Sequence, residues 1–232
     1  MPLGRLLRAL SALPARLTGH RGAALPLSEL HFVAIDIETT GLDPRTDLPV
    51  ALAAIPFRGG RPDVATGYSG LVNPGRSIPS AARAIHGIGD EHVREAPPVA
   101  AALPGFLAAC RAEAIVAHTA RFDVTIVNRV ARSAGLPPLE GAILDIGILA
   151  HGLFPSWWDL TLEGLARLTE GSLIARHTAK GDALSAGFIF LKMIPALERR
   201  KIRTLSAALR LQRSVALLPG GPGATGGGLA GP

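Results

Sequence analysis

The sequence contains very little cysteine. Cys110 is the only one in 232 residues, so an internal disulfide framework and a metal site built from several thiolates are both excluded. A chain without disulfides suits a reducing compartment, and we therefore expect a cytoplasmic protein.

Long apolar runs are also missing, although 48% of the residues are hydrophobic. No run approaches the roughly 18 residues that a membrane-spanning helix needs, so we expect no integral membrane association. Charged residues make up 18% of the chain. This balance allows a sizeable core and excludes disorder of the whole chain.

Positive charge is concentrated at the two ends of the chain. Residues 1–28 contain four arginines and no acidic residue, and residues 196–232 contain six basic residues and one acid. The central residues 29–195 hold 14 bases and 17 acids, so this part is slightly acidic. Basic ends around an acidic body suit a polyanionic partner. The alternative is that arginine-rich ends only keep the protein in solution.

Composition divides the chain into four segments. Leucines at helical spacing among arginines predict a basic amphipathic leader over residues 1–28, which also resembles a transit peptide. The functional domain is expected over residues 29–196 and a basic segment over 197–218. Residues 219–232, mostly Gly, Pro and Ala, predict a disordered tail.

The hydrophobic pattern alternates between strands and helices, which is typical of an α/β fold. Predicted strands lie at His31–Glu38, Val50–Phe57, Asp63–Leu71, Ala114–His118 and Ile143–Asp145. Predicted helices lie at Phe122–Ala134, 146–152 and 160–168, with a long helix from Asp182 past Met193. Pro56 weakens the second strand unless it lies at a strand end.

Two carboxylates stand at the end of the first predicted strand. In Asp36-Ile37-Glu38 the two acids share one strand face, about 7 Å apart along the chain. The carboxyl end of a central strand is where open α/β sheets place ligands. Two buried acids are costly unless a cation neutralises them, and oxygen ligands favour Mg²⁺ or Mn²⁺ over zinc. The alternative is an ordinary acidic pair at a strand end.

Two further acids are expected to point inward from helices. Asp123 shares a helical face with apolar residues, and Asp182 aligns with Ala186, Phe190 and their apolar neighbours. His177 precedes Asp182 by five residues, so we expect it on the loop before the helix. Each acid alone is typical of a helix cap or a satisfied core group, but acids from three segments together favour a site.

These motifs resemble the DEDDh 3′–5′ exonucleases, the family of the epsilon-type proofreading subunit of bacterial DNA polymerase III. The resemblance covers about residues 30–195. It is carried by D-I-E-T-T-G-L from Asp36, H-T-A-R-F-D ending at Asp123, and H-T-A-K-G-D-A from His177 through Asp182. Between the first two motifs, Ile85–Ile88 reads I-H-G-I as in the family.

The resemblance implies a ribonuclease-H-like exonuclease fold, with a central mixed five-stranded sheet flanked by helices. It also implies two divalent cations, Mg²⁺ or Mn²⁺, and phosphodiester hydrolysis from a 3′ end. Asp36, Glu38, Asp123 and Asp182 would be the metal ligands. His177 would be the general base, because an imidazole can accept a proton near neutral pH.

The resemblance further implies which residues surround the terminal nucleotide. These residues are Thr39, Thr40, Gly41, Leu42 and His86. For Leu42 and His86 the alternative is packing within a turn. The second motif departs from the family pattern, since Thr119 replaces the usual Asn. We expect this change to alter a substrate contact without loss of metal binding.

Three further features near the motifs each allow a structural and a functional interpretation. Asp145 precedes a predicted helix, and a structural cap is the favoured interpretation. Trp157 and Trp158 could stack on a base, although packing under the neighbouring helix is favoured. Gln212–Leu218 faintly resembles the peptide with which replication proteins dock on a sliding clamp.

The sequence thus predicts a metal-dependent 3′–5′ exonuclease that releases nucleoside 5′-monophosphates from single-stranded DNA, in proofreading or repair. One alternative is an RNA-trimming enzyme, because these motifs do not read the 2′-hydroxyl. The other is a non-catalytic module on the same fold that binds nucleic acid or a polymerase. Expected partners are the 3′ end of a nucleic acid and, as further candidates, a DNA polymerase or a sliding clamp.

Overall fold

The structure is a computed structural model that describes residues 24–217. The strands are β1 (Phe32–Thr39), β2 (Pro49–Arg58), β3 (Arg61–Pro62), β4 (Tyr68–Leu71), β5 (Ala114–Ala117) and β6 (Ala142–Asp145). The helices are α1 (Ser80–His86), α2 (Asp90–Val93), α3 (Val99–Ala109), α4 (Ala120–Ser133), α5 (Ile146–Leu153), α6 (Leu162–Thr169), α7 (Ala179–Arg199) and α8 (Leu205–Ala216).

The strands form one mixed sheet in the order β3-β2-β1-β5-β6, with β4 also paired to β2. β1 runs antiparallel to β2 and parallel to β5, which in turn is parallel to β6. The carboxyl ends of β1, β5 and β6 therefore lie at one edge of the sheet. This confirms the predicted mixed sheet with β1 at its centre.

The sheet has six strands where five were predicted, because the two-residue strand β3 precedes the predicted strand Asp63–Leu71. Of that predicted strand, only Tyr68–Leu71 is extended, as β4. Asp63 turns the chain after β3: its carboxylate accepts hydrogen bonds from the backbone and hydroxyl of Thr66. Pro56 lies inside β2, opposite Val33 and between the stretches that pair with β4 and with β3. Its carbonyl accepts from the Asp63 N–H at 2.7 Å.

Helices cover both faces of the sheet. Phe32, Ala34 and neighbouring strand residues pack against α5 to α8, whereas Val33, Ile35 and Ile37 pack against α3 and α4. Both β1 faces are therefore apolar until the strand approaches its end, as its sequence predicts. The rings of Phe32 and Phe57 stack at 4.8 Å between β1 and β2.

The packed body extends across both boundaries predicted for the functional domain. The boundary at residue 196 falls inside α7, and α8 buries Leu205, Ala208, Leu209 and Val215 in the same core. At the other end, Leu27 is buried and its N–H donates to the carbonyl of Arg203 at 2.9 Å. Residues 1–23 of the predicted leader over 1–28, and all of the predicted tail over 219–232, lie outside the described residues.

Gln212 corrects the interpretation of Gln212–Leu218 as a projecting clamp peptide. It lies within α8, where its Oε1 accepts from the Asp145 N–H at 2.7 Å and its Nε2 donates to the Ile143 carbonyl at 2.9 Å. The side chain thus pairs with the open edge of β6 as a neighbouring strand would. A glutamine used in this way is not available to a clamp.

Within residues 24–217, none of the helices is long and apolar enough to cross a membrane.

Candidate active site

The two carboxylates of β1 lie near the carboxyl end of the strand. All other residues of β1 are buried, whereas Asp36 and Glu38 remain partly open to solvent. Alternation along the strand places both acids on the face of Phe32 and Ala34, the side covered by α7. The first turn of α7 therefore lies beside them.

Asp182 joins these two acids from the start of α7. The helix begins after Thr178, whose hydroxyl accepts from the Gly181 N–H at 3.1 Å. Asp182 is buried in this first turn, and carboxylate oxygens of Asp36, Glu38 and Asp182 all lie within 4.8 Å of one another. Three acids from two elements thus converge on one point.

Asp123 is buried next to this group but is held in a different way. It lies in the first turn of α4, and its Oδ1 accepts from the backbone N–H of Ile37 at 3.1 Å. The bond ties α4 to β1 between the two β1 acids. Asp123 is not part of the three-carboxylate cluster, although its charge raises the pKa of Asp36.

The cluster is unfavourable for negative charge. Burial and then the neighbouring charges of Asp123, Glu38 and Asp182 raise the pKa of Asp36 well above its usual range. Burial, followed by the charge of Asp182, raises the pKa of Glu38 to about 7. Ionised acids in such a position need a cation to offset their repulsion.

The donor set fits a hard divalent cation. Oδ1 of Asp182 is buried and has no hydrogen-bond partner among residues 24–217. An unpartnered buried carboxylate oxygen is costly, and a metal ion would satisfy it. The ligands that converge are all carboxylates, the donors that Mg²⁺ and Mn²⁺ prefer.

Arg176 and Glu163 belong to the site and were missed by the sequence analysis. Nε of Arg176 donates to Oε1 of Glu163 at 2.6 Å, and its Nη1 is paired with Oδ2 of Asp182. The signal available in the sequence was the position of Arg176, directly before His177. Its partner Glu163 lies on α6, and this pairing depends on tertiary structure.

His177 stands at the rim of the site. Its side chain is exposed, its backbone has φ 60°, and its N–H donates to Oδ2 of Asp182 at 3.3 Å. The ring lines a cleft of about 250 Å³ together with His86 and Lys180. His177 therefore lies on the loop before α7, as its spacing from Asp182 predicts, and not among the three converging carboxylates.

In the turn after β1, most of the polar groups form hydrogen bonds with one another. The Thr39 hydroxyl donates to the Gly41 carbonyl at 2.6 Å, and the buried Thr40 hydroxyl donates to Oδ1 of Asp47 at 2.7 Å. A Cβ on Gly41 would lie 2.6 Å from Oδ2 of Asp47, so a larger residue there would require the Asp47 side chain to shift. Leu42, in contrast, is 67% exposed.

His86 lies against the end of β1. Its Nδ1 accepts from the Ile88 N–H at 3.0 Å, so the other nitrogen carries the proton and donates to the Thr39 carbonyl at 3.2 Å. Burial lowers the pKa of this histidine, which favours the neutral ring. Both nitrogens are thus used by the protein, and the nucleotide contact expected of His86 stays a prediction.

The structural interpretations of Asp145 and of the two tryptophans have different outcomes. Asp145 caps α5 by accepting from the N–H groups of Gly147 and Ile148, which confirms the structural interpretation. Trp157 donates its Nε1–H to the Asp159 carbonyl at 2.7 Å. Trp158 is 89% exposed, so the prediction that it packs under a helix is wrong: the loop turns its ring outward.

Comparison with known proteins extends these observations. A family model described as Exonuclease matches residues 33–190. A DNA polymerase III subunit epsilon-like protein of Rhodobacter capsulatus is 35% identical over 190 residues, which cover 81% of this chain and 27% of the relative. A PolC-type DNA polymerase III of Caldanaerobacter subterraneus is 32% identical over 189 residues, covering 82% of this chain and 13% of the relative. This chain therefore spans about a quarter or less of the length of these relatives.

Solved structures share the fold. Exonuclease X in complex with 5′ overhanging duplex DNA aligns with a TM-score of 0.61 at 23% identity, over 78% of this chain and 99% of that one. E. coli Exonuclease I in complex with a dT13 oligonucleotide aligns with a TM-score of 0.63 at 17% identity, over 74% of this chain and 42% of that one. The chain thus belongs to the exonuclease family, as the motifs around Asp36, Asp123 and His177 predicted.

Proposed function

We propose that the protein is a divalent-metal-dependent 3′–5′ exonuclease that removes nucleoside 5′-monophosphates from single-stranded DNA. The observation that carries this proposal is the convergence of Asp36, Glu38 and Asp182, together with the unpartnered oxygen of Asp182. Such a cluster is suited to binding a cation. Membership of the exonuclease family indicates the class of reaction.

Asp36, Glu38 and Asp182 would hold Mg²⁺ or Mn²⁺, with Asp123 supporting a second ion from the start of α4. Bound in pairs, such ions lower the pKa of a water molecule and stabilise charge on the leaving oxygen. The Ile37 N–H fixes one Asp123 oxygen. The same bond orients Asp123 relative to β1, so this residue also positions the strand that carries the other acids.

His177 would be the general base. The water oxygen bonds to phosphorus, the bond from phosphorus to the 3′ oxygen breaks, and that oxygen takes up a proton. His177 accepts the proton that the water loses. Its exposed position at the rim of the cleft allows it to meet a substrate, and its N–H contact with Asp182 keeps it beside the carboxylates.

The terminal nucleotide would lie beside the carboxylates, next to the turn after β1. Leu42 offers an exposed apolar side chain there for contact with a base. Thr39, Thr40 and Gly41 would shape this turn, since their polar groups are mostly satisfied within it. We propose single-stranded DNA as the substrate because the E. coli Exonuclease I structure with the same fold is a complex with a dT13 oligonucleotide.

Proofreading or repair in association with a DNA polymerase is the setting that the relatives favour. Two of them are named as DNA polymerase III proteins. The acidic body and basic ends suit a nucleic-acid partner whose phosphates would be drawn to the basic segments.

The proposal is tested with one oligonucleotide sequence made as DNA and as RNA, labelled at either the 5′ or the 3′ end. With Mg²⁺ or Mn²⁺ and 3′-labelled DNA, the first labelled product should be a nucleoside monophosphate. The 5′-labelled strand should give a ladder that shortens from its full length. EDTA should stop both reactions.

The matched variants are Asp36→Asn in the cluster and Asp63→Asn in the surface turn before β4. Only Asp36→Asn should abolish cleavage. Preferential cleavage of the RNA strand would identify the trimming enzyme instead. Cleavage of neither strand, with binding of both retained, would identify a non-catalytic module.

A further inference from the structure

Arg176 places a positive charge inside the carboxylate site. Its Nε donates to Glu163 at 2.6 Å while its Nη1 pairs with Oδ2 of Asp182. The Arg176 side chain is 23% exposed and that of Asp182 12%, so this ion pair is largely shielded from water. Arg176 therefore bridges a carboxylate of the cluster and a carboxylate outside it.

This guanidinium offsets the repulsion within the cluster. Its charge lowers the pKa of both Asp36 and Glu38, against the larger effects of burial and neighbouring acids that raise them. In the metal-free protein, Arg176 therefore stabilises the folded arrangement of these acids.

A divalent cation on the same carboxylate conflicts with this arrangement. Arg176 pairs with Oδ2 of Asp182, whereas Oδ1 of the same group is buried and has no partner among residues 24–217. A cation bound through Oδ1 would lie close to the guanidinium, and like charges at such distances repel strongly in a partly buried site. Both cations are thus attracted to one carboxylate, and each weakens binding of the other.

Glu163 is a second carboxylate partner for the guanidinium of Arg176. It already binds Nε from α6, and its side chain is 40% exposed. Arg176 can therefore leave Asp182 and keep one carboxylate partner. A surface arginine without such a partner would have to release both contacts.

We propose that Arg176 is a positioning residue that competes with the divalent cation for Asp182, and that Glu163 retains the guanidinium when the cation is bound. The inference rests on the proposed function, because it requires that the carboxylate cluster binds a divalent cation. It adds a regulated step to that function. In the metal-free site the guanidinium of Arg176 is the counter-ion of Asp182, and a metal ion must displace it in order to bind.

The displacement also bears on His177. The N–H of His177 and Nη1 of Arg176 contact the same oxygen, Oδ2 of Asp182. The backbone of this segment is unusual, since Ala175 and His177, on either side of Arg176, both have positive φ, at 35° and 60°. Release of Arg176 therefore changes the contacts of the segment that carries the proposed base.

The test is binding of Mn²⁺ alone to the full chain, measured by titration calorimetry and by the electron paramagnetic resonance signal of free Mn²⁺. A pH of about 8.5 keeps Glu38 ionised, since its pKa is about 7. Arg176→Gln should bind Mn²⁺ at least about fivefold more tightly than the wild type, because the competing charge is gone. Glu163→Gln should bind it more weakly, because the guanidinium then stays with Asp182.

Two control variants separate competition from a general charge effect. Arg176→Lys keeps the charge and should bind Mn²⁺ with nearly wild-type affinity. Arg167→Gln removes the same charge from an exposed arginine of α6 that pairs with Asp159. It should leave the affinity within about twofold because solvent screens the charge of Arg167.

Melting temperatures provide a readout that a merely structural role would not give. In EDTA, Arg176→Gln should melt below the wild type, and in saturating Mn²⁺ this deficit should shrink or reverse. A deficit of equal size in both conditions, or an unchanged or weaker Mn²⁺ affinity of Arg176→Gln, would overturn the inference alone. A wild-type protein that binds no Mn²⁺ would overturn the proposed function as well.

Discussion

Asp36 lies in an environment that is unfavourable for a negative charge, with three other acids raising its pKa in addition to burial. We predict that Asp36→Asn lowers nuclease activity at least about a thousandfold, since metal stabilisation of the transition state is worth several kcal/mol. The same change should raise the melting temperature of the protein in EDTA, because it removes repulsion within the cluster. Activity assays and thermal melts of the same preparation check both. A loss of activity accompanied by a lower melting temperature would point to a structural role instead.

Thr119 has a backbone that suits a different residue. It precedes α4 with φ 56° and ψ 40°, and its side chain makes no capping hydrogen bond. The left-handed region is unfavourable for a β-branched residue but is tolerated by Asn. We predict that Thr119→Asn stabilises the protein by about 1 kcal/mol, or about 2–4 °C in melting temperature. Thr119→Val, which keeps the branch and loses only the hydroxyl, should not stabilise it.

Gly181 allows the loop that carries Arg176 and His177 to lie against α7. A Cβ at this position would clash with the carbonyl oxygens of Ile174 and Ala175. We predict that Gly181→Ala displaces this loop, lowers the melting temperature and reduces nuclease activity at least about tenfold, because misplacement of a base by about 1 Å has a large effect. Gly60→Ala is the comparison for activity: it strains a turn far from the site, where φ is 73°, but its Cβ would meet no described atom within 4 Å. Equal activity of the two variants would contradict the prediction.

The site residues differ in how far the sequence alone could place them. Asp36 and Glu38 follow from strand alternation, and the inward faces of Asp123 and Asp182 follow from helical periodicity, because both periods are local. Arg176 could not be placed, since its partner Glu163 lies on another helix. The exposure of Trp158 could not be predicted either. In an irregular loop the side chains do not alternate with a regular period, so the sequence does not indicate which of them face solvent.

At the scale of elements, α8 closes the open edge of the sheet. Gln212 donates to Ile143 and accepts from Asp145 at this edge. We predict that Gln212→Ala destabilises the protein by about 1–3 kcal/mol, because it leaves two partly buried backbone groups without partners. Amide exchange of Asp145 should accelerate in the variant. Arg213→Ala, on the exposed side of the same helix, should change neither quantity.

Most strands and the long helices were predicted because their hydrophobic periods are clear, and their bounds differ from the structure by a few residues. The exceptions are β3, which was not predicted, and β4, which is only the end of the predicted strand Asp63–Leu71. Helices α1, α2, α3 and α8 were not predicted. α1 and α2 are short, and α3 is apolar on most of its surface and contains Pro104. The end of α8 was compared with a peptide motif over Gln212–Leu218, because the edge of β6 that α8 covers is visible only after the sheet is assembled.

At the scale of the whole molecule, folding brings together acids that the unfolded chain keeps apart. Glu38 has a pKa of about 7 in the folded protein against an ordinary value of 4.5. Its folded pKa is raised, so the folded state binds the proton more tightly than the unfolded state. Stability is therefore highest while Glu38 is protonated, and this contribution is lost as the pH rises from about 4.5 to about 7.

We predict that the pH dependence of stability differs between the wild type and Glu38→Gln in a defined window. The amide of glutamine resembles the protonated acid at every pH, so in EDTA the variant should become more stable than the wild type as the pH rises from about 4.5 to about 7, after which the difference should level off. Adding Mg²⁺ at high pH should favour the wild type instead, because a ligand that binds only the folded state stabilises it and the variant has lost one ligand. Thermal melts across this pH range, with EDTA or with Mg²⁺, check both effects. Parallel stability curves in EDTA would show that Glu38 titrates alike in the folded and unfolded chains, and the electrostatic account of the cluster would then be wrong.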